Sequence, residues 1–128
     1  MRGEWKLSNK IIDFYKGYEG EPEIQISYSS KNEGSVTLRI WEGYFDNIMM
    51  GIKADSNHWT ALAYYYHLHE GWYENSPWVI PDIDAALEQL ELVNKAEFYD
   101  ETQEILKHFI EILMNAKSNN EEVWIAYD

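Results

Sequence analysis

Two runs of strict alternation constrain this chain most. In residues 23–29, Ile24, Ile26 and Tyr28 point one way while Gln25, Ser27 and Ser29 point the other. In residues 35–41, Val36, Leu38 and Ile40 repeat the pattern. Side chains alternate faces along a strand, so each run carries one apolar and one polar face. The turn-rich link Ser30-Lys31-Asn32-Glu33-Gly34 joins them. The pair predicts an antiparallel β-hairpin with one face in a core and one in water.

The remaining segments read mainly as helices to cover that core face. Ser8, Ile11, Ile12, Tyr15 and Tyr18 follow helical spacing, with Trp5 on the same side, and predict a first helix over residues 4–17. Gly17 and Gly20 supply its stop. Ile48, Met50 and Ile52 alternate, which predicts a third strand within 47–54. Asp55-Ser56-Asn57 is a helix-capping cluster, and Trp59, Leu62, Ala63 and Tyr66 predict a helix over 58–70 with Gly71 as its C-cap. Residues 72–80 read as an aromatic loop broken by Asn75-Ser76-Pro77. Asp82 caps a helix whose stripe is Ile83, Ala86, Leu87, Leu90 and Val93. A longer helix over 98–117 carries Ile105, Leu106, Phe109, Ile112, Leu113 and Ala116. Val123, Ile125 and Tyr127 share one face of a last strand over 122–127. The expected order is α-β-β-β-α-α-α-β. With 128 residues this is a single α+β domain, an antiparallel sheet of about four strands packed by helices.

Charge narrows the partners. The net charge is −13, and it is unevenly placed. Residues 1–69 hold 9 acidic and 7 basic side chains, whereas residues 70–128 hold 14 acidic and 3 basic. Nucleic acids and anionic membranes attract proteins with a Lys/Arg excess, so neither is an expected partner. No apolar run reaches the ~18 residues of a membrane span. Met1 to Lys10 lacks the apolar stretch of a signal peptide, so the expected location is the cytoplasm. The chain has no Cys, which removes disulfides, thiolate nucleophiles and Cys-based zinc sites.

Three constellations stand out. On the helix after Pro81, Asp84, Glu88 and Glu91 recur at i, i+4 and i+7; on the last helix, Glu97, Glu101, Glu104 and Glu111 recur at i, i+4, i+7 and i+14, with His108 beside them. Like charges at this spacing oppose helix formation. The rows are either a solvated face or a surface for a basic partner, which they would steer at long range. Trp72, Tyr73 and Trp78 form an aromatic group beside Glu70 and Glu74. Trp78 is expected to pack inward, while Trp72 and Tyr73 either flank a binding surface or fold back as a lid. His58, His67 and His69 form the third group, with Asp55 and Glu70 near in sequence. On a helix His67 and His69 diverge by roughly 200°, so a shared metal ion is not expected. GxGxxG, Walker A, GxSxG and HExxH patterns are all missing, and no catalytic residue, cofactor or metal is assigned.

A small, Cys-free, acidic and aromatic-rich α+β domain of this kind resembles the immunity proteins of bacterial toxin systems. The segment Gly71-Trp72-Tyr73-Glu74-Asn75-Ser76-Pro77-Trp78 and the acidic helices after it carry the resemblance. It implies a stoichiometric inhibitor that binds a cognate toxin, often a basic nuclease, and blocks its active site or groove. Asp84, Glu88, Glu91, Glu97, Glu101 and Glu104 would then stand where nucleic-acid phosphates bind, and Trp72 and Tyr73 would anchor the contact. The rival expectation is a small enzyme or ligand-binding domain with a pocket near His58, Tyr66 and His67.

Overall fold

A computed structural model describes residues 9–30, 34–54 and 59–128. The expected hairpin is its centre: β2 (Glu23–Ser30) pairs antiparallel with β3 (Gly34–Trp41), with Ile26 opposite Leu38. Ile24, Ile26, Leu38 and Ile40 are fully buried, and Tyr28 nearly so. Gln25, Ser27, Thr37 and Arg39 occupy the other, half-exposed face. There Arg39 Nε meets a Glu23 carboxylate oxygen at 2.5 Å. Residues 31–33 of the link lie outside the described residues.

Two elements differ in kind from the sequence expectation. The first helix is replaced by a strand, β1 (Asn9–Phe14), paired parallel to β3 with Ile12 opposite Leu38. Ile12 and Phe14 pack against the core while Ile11 and Asp13 face water, a period of two that the neighbouring Ile11-Ile12 pair conceals. Residues 4–8 of the expected helix, including Trp5, lie outside the described residues. The third strand is replaced by helix α1 (Glu42–Met49). Tyr44, Phe45, Ile48 and Met49 recur at helical spacing and are all buried, which outweighs the alternation of Ile48, Met50 and Ile52.

Helix α2 (Ala61–Leu68) ends at His69, which takes the left-handed conformation (φ 55°) where Gly71 was the expected cap. The expected capping cluster at 55–57 lies outside the described residues. Gly71 also has positive φ (65°), and a Cβ there would sit 3.1 Å from the Trp78 ring. This turn sends Trp72 into the core. A two-residue strand, β4 (Trp78–Val79), follows within the segment expected to be loop. Helix α3 (Ile83–Glu91) begins as expected, with Asp82 Oδ1 accepting the Ala85 backbone N–H at 3.0 Å. Helix α4 (Thr102–Ser118) buries all six residues of its expected stripe. Burying each of the five larger ones stabilises the fold by roughly 1.5–3 kcal/mol, and Ala116 by less. Strand β5 (Trp124–Tyr127) closes the order, with Ile125 buried and Trp124 39% exposed.

The sheet order is β1-β3-β2-β5-β4. In place of the expected antiparallel sheet of about four strands, the described residues form a mixed sheet of five, because β1 runs parallel to β3 while every other pairing is antiparallel. The domain is α+β, with the α1–α4 and α2–α3 pairs in mutual contact and α1 and α4 packed on β2 and β3. No helix among the described residues is long and apolar enough to cross a membrane.

Candidate functional site

The expected acidic residues are all at the surface, but they do not form two helical rows. Asp84, Glu88 and Glu91 project from α3, opposite buried Ala86 and Leu90. Asp84 forms an ion pair with Lys117 of α4, so this row borders the α3–α4 seam. Glu104 and Glu111 are exposed on α4. Glu101 is the residue before α4, and Glu97 lies off the helix in the connection 92–101. Among the described residues, Asp84 alone of these carboxylates has an ion-pair partner. Glu101 and Glu104 also sit at the positive end of the α4 dipole, which offsets part of their mutual repulsion.

The connection 92–101 is the feature that sequence reasoning did not single out. It exposes Leu92 (79%) and Tyr99 (53%) among Glu91, Lys95, Glu97, Asp100 and Glu101. Its shape is held from α1. Asn47 donates to the Glu97 carbonyl at 2.9 Å and accepts from the Tyr99 N–H at 2.9 Å and the Thr102 hydroxyl at 2.7 Å. Gly51 accepts the Asn94 N–H at 2.9 Å, and a Cβ at Gly51 would stand 2.4 Å from the Asn94 carbonyl. Beside Tyr99, Trp41 stacks on Tyr18 with centroids 4.7 Å apart. The Tyr44 hydroxyl reaches Tyr18 at 2.8 Å and Glu101 at 3.2 Å; burial and these bonds raise its pKa, so it stays a donor. Only the knowledge that 42–49 is helical would have brought Asn47 to this loop. Replacing Asn47 with alanine leaves the buried Thr102 hydroxyl without its acceptor. The expected cost is about 1–3 kcal/mol in urea denaturation, with Tyr99 and Glu101 losing their fixed positions.

The aromatic group divides. Trp72, expected as an exposed anchor, is fully buried and packs edge-on to Phe45 at 5.3 Å. It is a core residue, because Gly71 turns the chain inward. Trp78 packs inward as expected, half-buried against Trp72 and Tyr65. Tyr73 is half-buried and lines a second feature.

That feature is a cleft of about 400 Å³ walled by Glu42, Asp46, Met50, Tyr66, Tyr73 and Tyr127, with His67 and His69 beside them. Glu42, Asp46 and Met50 recur every four residues, so they share one side of α1 and its end. Reading 47–54 as a strand hides that relation. Tyr66 donates to Asp46 Oδ1 at 3.0 Å. Burial raises the pKa of both carboxyls, of Tyr66 and of Tyr127, and pushes Tyr73 up to about 12. Tyr66 and His67 of the expected pocket therefore do line a cleft, while His58 lies outside the described residues. His67 stacks on Trp59 at 3.8 Å, and His69 packs beside Tyr73 at 5.0 Å. No group of three or more His, Asp and Glu residues placed to hold a metal ion occurs among the described residues.

A raised carboxyl pKa means that the folded state holds its proton more tightly than the unfolded chain. Stability from that proton is present below the unfolded value and lost as pH rises through the folded one. Asp46→Asn, which keeps an acceptor for Tyr66, is therefore expected to unfold at higher temperature than the parent at neutral pH. The difference should vanish below the ordinary aspartate value of 3.8. An equal difference at both pH values in thermal melts would mean that Asp46 is not desolvated.

Comparison with protein-family models, with curated proteins and with solved structures finds no match.

Proposed function

We propose that this chain is a stoichiometric inhibitor of the immunity type, which neutralises a basic protein toxin, such as a nuclease, by covering it with an acidic surface. The observation that carries the reading is the Asn47-pinned connection, which holds exposed Tyr99 between the exposed carboxylates of Glu97, Asp100 and Glu101 and leaves Leu92 exposed at its start, with Lys95 between the two. Apolar and aromatic anchors ringed by charge are what a protein interface needs. A loop already held in shape loses little entropy on binding. Tyr99 and Leu92 take the anchoring role first assigned to Trp72, and the carboxylates at Asp84, Glu88, Glu91, Glu97, Glu101 and Glu104 supply attraction.

The test is capture from the lysate of the source cell at low and high salt, followed by reconstitution with the purified partner. One basic protein bound at 1:1, released as salt rises and inactivated by an equimolar amount of this chain, is the expected result. A bound protein that keeps its activity, or binding indifferent to salt, would overturn the reading. A second reading, a small-ligand binding domain, is favoured by the cleft that Tyr66 and His67 line.

A further inference from the structure

We propose that the cleft between α1, the end of α2 and β5 binds an organic cation, a guanidinium or alkylammonium group, between the Glu42 and Asp46 carboxylates and the rings of Tyr66, Tyr73 and Tyr127. The site gives a ligand to the second reading above and is independent of the first.

Four observations carry it. The space is concave and about 400 Å³, room for a cationic head group and part of its stem. Among the described residues that line it there is no Lys or Arg, and the one cationic neighbour of the two carboxylates there is His69, a weak base. Both are desolvated, since burial is the main cause of their raised pKa values. Asp46 accepts from Tyr66 and Glu42 from Tyr127, and each carboxylate keeps further acceptor capacity that an N–H-rich cation would fill. Next, the walls are aromatic: Tyr73 and Tyr127 meet edge to face at 5.2 Å, and Tyr66 lies 6.5 Å from Tyr73. Tyrosine faces attract a cation through the ring quadrupole, more so when water is excluded. Finally, His67 lines the cleft, and its buried Nε2 has no hydrogen-bond partner among the described residues. Burial and the neighbouring His69 lower the His67 pKa, which favours the neutral ring, so His67 adds no competing positive charge to the cleft. At the rim Met50 is 67% exposed, placed to pack along an alkyl stem.

An anion is excluded by the same charges. A divalent metal is not favoured, because tyrosine rings rather than further carboxylates complete the wall.

The test is a titration of the full chain followed by backbone amide NMR shifts, using methylguanidinium and its neutral isostere methylurea. Saturable shifts at Glu42, Asp46 and Tyr127 with the cation, and none with the urea, are expected. Glu42→Gln with Asp46→Asn should weaken binding by about tenfold or more. That variant removes two desolvated charges, so it should fold at least as well as the parent. Met50→Arg, at an exposed position, should occupy the cleft with its own guanidinium and weaken the probe similarly. Equal shifts from methylurea, or unchanged affinity in the double variant, would overturn the proposal. Acetyl-Gly-Arg-Gly-amide serves as a further arm. Binding as tight as methylguanidinium identifies a partner's basic side chain as the occupant, and exclusion of the peptide identifies a free small cation. Charge reversal on α3 and α4 should leave all of these titrations unchanged.

Discussion

Trp72→Ala will destabilise the fold by about 3–5 kcal/mol, the range for removing a buried aromatic side chain. For a domain of 128 residues this lowers the melting temperature by roughly 10–20 °C. Trp72 is fully buried, edge-on to Phe45 and Trp78 at 5.3 Å each, and 5.5 Å from Tyr73. Little can relax into its place, because these rings are themselves fixed by Phe109, Tyr65 and Tyr127. Trp72→Phe should cost much less, since it keeps a ring against Phe45, Trp78 and Tyr73 and leaves a smaller cavity than alanine. Urea denaturation of the three proteins separates the cases. A Trp72→Ala chain as stable as the parent would return Trp72 to the surface and reopen its role as an anchor.

The second large effect concerns association. Glu88→Lys combined with Glu104→Lys should slow binding of the proposed basic partner by roughly tenfold or more at low ionic strength. The dissociation rate should change little, because exposed charges steer encounters more than they hold complexes together. Both side chains are exposed and neither has an ion-pair partner among the described residues, so the variant should fold normally. Raising salt should erase the difference as screening shortens the reach of the field. Stopped-flow measurement with parent and variant gives the answer directly. An unchanged association rate at low salt would remove α3 and α4 from the interface.

Much of this fold is legible where one periodicity acts alone. The α4 stripe from Ile105 to Ala116, the Asp82 cap and the β2–β3 alternation all appear in the structure as the residues suggest. The losses come where two periods coexist. Ile11, Ile12 and Tyr15 satisfy helical spacing, yet β3 offers β1 a parallel ladder that no local pattern announces. Ile48, Met50 and Ile52 alternate, but Tyr44, Phe45, Ile48 and Met49 bury a helical face. That one misreading also conceals the cleft and the loop, because Glu42, Asp46 and Asn47 acquire their relations only on a helix. Trp72 was ambiguous for another reason: nothing local states that Gly71 turns the chain inward.

The position of β5 sets the timetable of folding. It follows every other element in the sequence, yet in the sheet it stands between β2 and β4. A ribosome that has made β1 to β3 and α1 to α4 has still not made the strand that joins β4 to the rest. Until then Ile24 and Ile26 have one open edge, and β4 has no ladder at all. The sheet is therefore completed only after nearly all of these residues have been synthesised, through contacts that span most of the chain, which places this domain among slower folders that expose apolar edges while they wait.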